Sequence, residues 1–89
     1  MLQDEFTFEI IKHIGVISER GAYGWKREVN LVSWNGGRTV VDIRDWDPNH
    51  EHMGRGITLT AKETIQLVLS LKNFCEDTIT NPSEGEHGQ

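Results

Sequence analysis

The four residues Thr60-Ala61-Lys62-Glu63 divide the chain into two parts of different periodicity, and that division limits the fold more than any other feature of the sequence. Upstream, apolar residues recur at every second position, which is the spacing of a strand with one buried face. Downstream they recur at three- and four-residue intervals, the spacing of a helix. The tetrad itself has the form of a capping box, in which a threonine hydroxyl and a glutamate carboxylate each satisfy an amide donor that a helix start leaves unpaired. Strands followed by a single helix predict an α+β domain.

Residues 6–18 alternate so that Phe8, Ile10, Ile14 and Val16 fall on one face and Glu9, Ile11, His13 and Ile17 on the other, a pattern suited to a long antiparallel strand. Glu19 to Gly24 reads as a loop, Trp25 to Trp34 as a second strand, and Asn35-Gly36-Gly37 as a hairpin turn that tolerates positive φ. A third strand runs to Trp46, a polar loop reaches Met53, and Gly54 to Leu59 forms a short fourth strand whose glycines allow a bulge or a close backbone approach. A bulge near Gly56 would turn Arg55 outward.

The length of the hairpin turn decides which residues share a face, because a slip of one residue reverses every side chain. A two-residue loop would set Leu31 against Asp42 and Val29 against Arg44, mixing core with charge. A three-residue loop with a glycine bulge sets Ser33, Leu31 and Val29 against Thr39, Val41 and Ile43, which makes a coherent apolar face. The other face then carries Lys26, Glu28, Asn30, Val32 and Trp34 opposite Trp46, Arg44, Asp42, Val40 and Arg38. On it Glu28 meets Arg44 as an opposite-charge pair. Trp25 falls on the core face.

From Ala61 to about Cys75 the apolar residues spread over an arc of roughly 220°, wider than the stripe that packing on one sheet requires. Two surfaces must cover it, and a chain of 89 residues is near the size at which one core barely suffices. A homodimer with Leu67, Leu71 and Phe74 in its interface is therefore expected. Beyond Glu76 the sequence is polar and aperiodic, so the domain is expected over residues 1–76, with a disordered acidic tail over 77–89.

The one cysteine, Cys75, excludes an internal disulfide and reads as a buried thiol in a reducing cytoplasm. No run of apolar residues is long enough for a membrane helix. Nine basic residues against fourteen acidic ones give a net charge of −5, which argues against a polyanion partner. The acid, however, lies at the ends: residues 25–62 hold six basic and five acidic groups. Trp34 and Trp46 interleaved with Lys26, Arg38 and Arg44 on one face make the pattern of a platform for single strands, where bases stack on indoles and cations follow phosphates. The same tryptophans would also serve a dimer contact or a partial core, and Asn30 would bond a base edge or its sheet neighbours. Asp45, Asp47, His50, Glu51 and His52 offer metal-ligand chemistry, but the loop lacks the fixed spacing of a metal motif and reads as solvated. No serine has a recognisable activating partner and no phosphate-binding glycine loop is present. Neither an enzyme nor a cofactor nor a small-molecule substrate is expected.

Asp42-Ile43-Arg44-Asp45-Trp46, then Asp47-Pro48, then Gly54-Arg55-Gly56-Ile57-Thr58-Leu59-Thr60 running into a helix resembles the core of the positive-cofactor-four family of transcriptional coactivators, with its small bacterial YdbC-like members. The resemblance covers Phe6 to Leu71. It implies a whirly-like, homodimeric fold of four curved antiparallel strands and one C-terminal helix. It also implies DNA binding of single strands with little sequence preference, in transcription regulation, replication or repair. Lys26, Arg38, Arg44 and Trp46 match positions that line the single-strand channel, and Arg55 matches a basic position before the fourth strand. Two departures weaken the expected affinity: Asn35-Gly36-Gly37 replaces a basic hairpin tip, and Glu28 takes a basic position. A homodimeric protein-interaction module without DNA activity, a metal-dependent enzyme holding zinc or manganese through His50 and His52, and an RNA binder are the alternatives.

Overall fold

A computed structural model describes residues 6–80, with side chains to residue 76. The alternating part of the sequence forms β1 (Phe8–Arg20), β2 (Trp25–Trp34), β3 (Thr39–Trp46) and β4 (Met53–Leu59), and the helical part forms α1 (Ala61–Thr80). The strands make one antiparallel sheet in the order β1-β2-β3-β4. The capping box closes as its residue types require: the Thr60 amide donates to Glu63 Oε1 at 2.9 Å, and the Glu63 amide donates to Thr60 Oγ1 at 3.1 Å. The helix continues past Cys75 to Thr80; the rest of the expected tail, from Asn81 on, lies outside the described residues.

The hairpin between β2 and β3 has the three-residue turn, with Asn35 and Gly36 at positive φ and Ser33, Leu31, Val29 and Glu28 opposite Thr39, Val41, Ile43 and Arg44. In β1, simple alternation fails. Its thirteen residues pair with ten of β2, and the register skips Ile11, Ile14 and Ile17. Each such bulge adds one residue and resets the side-chain parity. As a result His13, not Ile14, joins Phe8, Ile10 and Val16 on the face that carries Trp34, Val32, Asn30 and Glu28. A fourth irregularity lies in β4, where three steps from Met53 to Gly56 match two from Trp46 to Arg44; this is the bulge expected near Gly56, and it leaves Arg55 exposed.

These bulges explain which face is buried. The sequence predicts a core on Val29, Leu31, Val41 and Ile43, yet those residues are only half-buried, while Val32, Asn30, Asp42 and Trp46 on the opposite face are fully buried. A single flat sheet could not enclose four side chains, so the sheet curls toward that face, and bulges strengthen the twist that curls it. We call it the inner face. The outer face holds Arg27, which donates from Nε to Asp45 Oδ1 at 2.8 Å, with Arg20 3.7 Å from the same carboxylate; these arginines, the Arg27 hydrogen bond foremost, hold the Asp45 carboxyl below its usual range. Helix α1 has its main contacts with β3 and β4, but none of its described residues is buried, and Leu67 is still 37% exposed. Cys75, expected buried, is exposed.

Candidate nucleic-acid interface

The inner face is polar at its centre. Glu28 is 5% exposed and accepts hydrogen bonds from Asn30 Nδ2 at 3.1 Å and His50 Nε2 at 2.9 Å. Asn30 turns its other amide atom, Oδ1, to His13 Nδ1 at 2.7 Å. An ionised carboxylate only accepts, so Glu28 fixes the orientation of the Asn30 amide, which in turn requires His13 to carry its proton on Nδ1. His50 by the same logic carries its proton on Nε2. Burial of Asn30 and Glu28 is tolerable because both are satisfied by this chain of partners.

Arg44 was expected opposite Glu28, and its backbone is there, but its guanidinium turns along its own strand to Asp42. Nε and Nη2 each lie 2.8 Å from an Asp42 oxygen, and Nη1 donates to the Gly54 carbonyl at 3.0 Å. Among the described residues Arg44 is the cation paired with the buried Asp42 carboxylate, and a forked guanidinium meets a carboxylate best in this two-point geometry. The planar group also lies over the Trp34 ring, 4.8 Å from its centroid. Gly56 is the Cα partner of Arg44, and a methyl group there would overlap Arg44 Cβ and come within 2.5 Å of the Ile43 carbonyl. The glycine is needed for the arginine to cross.

At one end of the face the aromatic rings of Phe6, Phe8, Trp34 and Trp46 form a continuous row with centroid separations of 5.2 to 5.9 Å along it. The turn positions its start: the Asn35 amide donates to the Thr7 carbonyl and the Thr7 amide to Asn35 Oδ1, both at 2.8 Å. Phe6, Trp34, Arg44, Met53 and Thr58 line an open depression of about 280 Å³. At the other end a second depression, of about 400 Å³, is lined by Glu19, Gly24, Lys26, Glu28, Asp47, Pro48 and His50.

Register thus brings Lys26, Asn30, Trp34, Arg44 and Trp46 to one face, as the sequence predicts, with unequal access. Trp46 was expected on an open surface, but it is fully buried against Phe8 and His50 and forms part of the floor. Asn30 is spent on His13 and Glu28 and has no surface from which to meet a base edge. Arg44 is nearly covered, with 14% of its side chain exposed. Trp34 and Lys26 are half-buried, and Arg38 and Arg55 are exposed. Leu67, Leu71 and Phe74 of the expected dimer interface are exposed in the single chain, Phe74 to 63%.

Sequence reasoning missed Phe6, which at 62% exposure is the most open ring of the row, together with Phe8, His13 and His50. Phe8 had the right parity, but only the pairing of β1 with β2 sets it beside Trp34. In the 47–52 loop Asp47, Glu51 and His52 come together, with side-chain ligand atoms within 4.8 Å of one another, and His50 stands apart from them. His50, at φ 59°, turns inward to Glu28, while His52 turns to Asp47. Asp47 Oδ1 accepts from the amides of Glu51 at 2.8 Å and His52 at 2.9 Å, and these bonds, that of His52 foremost, hold its carboxyl below the usual range.

Comparison with known proteins agrees with this architecture. An uncharacterized protein of Treponema pallidum (strain Nichols) is 39% identical over 67 residues, which cover 75% of this chain and 78% of the relative. The family described as Transcriptional Coactivator p15 (PC4) matches residues 22–69, from the loop before β2 into the first half of α1. A match over more than half of the chain, centred on the strands that carry the inner face, makes this protein a member of the Transcriptional Coactivator p15 (PC4) family.

Proposed function

We propose that the protein binds single-stranded DNA on the inner face, with little sequence preference, and does so as a homodimer. The family is known for single-strand binding and a coactivator role, and is not an enzyme family. The observation that carries the reading for this chain is the depression between Phe6, Trp34 and Arg44, where an exposed ring, a half-buried indole and a guanidinium meet in a space open to solvent. Aromatic faces beside cations receive unstacked bases without regard to sequence. Lys26 and the exposed Arg38 and Arg55 would follow the phosphates.

The dimer rests on a separate observation. Ile65, Leu67, Val68, Leu71 and Phe74 are exposed on α1, and the apolar outer face is only half-covered. Most helical stability in proteins comes from packing an apolar face rather than from intrinsic propensity. A second copy offers the matching cover, helix and outer face together.

Fluorescence anisotropy with labelled oligo-dT, the same sequence as RNA, and a duplex of equal length tests the first claim. Single-stranded DNA should bind tightest. Equal affinity for duplex and single strand would move the site off this face, tighter RNA binding would reassign the ligand, and no binding to any of the three would leave a dimeric interaction module.

A further inference from the structure

We infer that the inner face is a proton-linked anion site: His13 and His50 take up protons when a polyanion binds over Glu28, so that affinity rises as the pH falls through the range in which histidine titrates. The inference rests on the proposed single-strand binding and adds to it a regulation of the same face.

The charges around the buried Glu28 carboxylate make the case. From β1 come His13 and Glu19, from β2 Lys26, from β3 Asp42 and Arg44, and from the loop before β4 Asp47 and His50. With both imidazoles neutral, two cations stand against the four carboxylates of Glu19, Glu28, Asp42 and Asp47, and one of the cations, Arg44, is committed to Asp42. Such a surface repels phosphate. With both imidazoles protonated, four positive charges balance four negative ones, and the new charges lie on side chains that reach solvent, since His13 is 51% and His50 38% exposed. Histidine is the side chain whose charge changes between about pH 5 and pH 8.

The hydrogen bonds are already arranged for it. His13 presents Nδ1–H to Asn30, and His50 presents Nε2–H to the Glu28 carboxylate. The incoming protons therefore attach to His13 Nε2 and His50 Nδ1, on the far side of each ring, and no bond of the network has to break. Glu28 lies 3.6 Å from His13 Nδ1 and 2.9 Å from His50 Nε2, so both rings face the same carboxylate. Any group that prefers the protonated state binds with proton uptake, and the coupling is reciprocal.

Isothermal titration calorimetry with oligo-dT in buffers of different ionisation enthalpy, at fixed ionic strength, reads the linkage directly. Between one and two protons should be taken up per protein chain near pH 7, and anisotropy at the same ionic strength should show binding about fivefold or more tighter at pH 6 than at pH 7.5. The double substitution His13→Gln with His50→Gln should remove most of that dependence, whereas His52→Gln, on a ring that faces Asp47, should leave it intact. Glu28→Gln should tighten binding at pH 7.5 and flatten the profile, with circular dichroism confirming that each variant is folded. Binding without proton uptake, or an unchanged profile in the double variant, would overturn the linkage and leave the single-strand reading standing. Absence of binding at every pH would overturn both.

Discussion

A single missing Cβ decides how the inner face is wired. Arg44 reaches Asp42 by crossing Gly56, so the alanine substitution Gly56→Ala must push Arg44 or the Ile43 carbonyl aside. Overpacking of this kind costs about 1–3 kcal/mol, and here it also threatens to leave the buried Asp42 carboxylate without its cation. Urea denaturation should show that loss, and a variant as stable as the parent would mean that Arg44 can leave Asp42 freely. Asp47 is the second residue whose surroundings make a measurable claim. Its carboxyl is held below the ordinary value of 3.8 by the amide of His52 first and that of Glu51 after it. A depressed carboxylate contributes stability above its unfolded value and loses it as the pH falls through the folded one. The 47–52 loop should therefore hold unchanged at pH 5 and loosen only below about pH 3.8, seen in the amide proton shifts of Glu51 and His52. A transition of those amides above pH 5 would place the carboxyl elsewhere.

Among the elements, β2, β3 and α1 were legible in the sequence, and β1 was legible as an antiparallel strand but not in its register. Turn length, register and the helix cap follow from local rules: Asn35-Gly36-Gly37 accepts positive φ, only one register keeps Val29, Leu31, Val41 and Ile43 together, and Thr60 with Glu63 closes the helix start. The β1 bulges at Ile11, Ile14 and Ile17 carry no such local sign, because an isoleucine suits a regular strand as well as a bulged one. Three parity resets then hide both the curl of the sheet and the arrival of His13 on the inner face. For the same reason Trp46 reads as exposed when only β2 and β3 are considered, although Phe8 from β1 covers it. The helix carries the test at this scale. Its exposed Leu67 and Leu71 need a cover worth about 1.5–3 kcal/mol for each fully buried leucine. Leu71→Glu should therefore split the proposed dimer or unfold the chain in sedimentation equilibrium, while Lys62→Glu, at the polar start of the helix, should not. A parent protein that sediments as a folded monomer at micromolar concentration would refute the covered helix.

For the molecule as a whole, the proposed function requires a chain of net charge −5 to hold a polyanion, and the two kinds of contact proposed on the inner face would meet that requirement differently. Stacking needs no net charge. If Phe6 or Trp34 receives a base, Phe6→Ala or Trp34→Ala should weaken oligo-dT binding by about 1–3 kcal/mol per base and leave the salt dependence almost unchanged, since no phosphate contact is lost. Phe6 is the cleaner of the two, because Trp34 also supports Arg44. If Lys26 or Arg38 meets phosphate, its replacement by glutamine should weaken binding to every sequence and lower the magnitude of the salt slope by about 0.7 per lost contact. Arg44 is expected to behave as neither, because its guanidinium already satisfies Asp42 and the Gly54 carbonyl; Arg44→Ala should reduce stability more than it changes the salt slope. Trp46→Ala should likewise act through the fold, by removing the floor under Phe8 and His50. Salt titrations of these variants, each beside its thermal melt, separate the groups. A salt slope that stays fixed in the Lys26 and Arg38 variants while binding falls would mean that phosphates take another path across the protein.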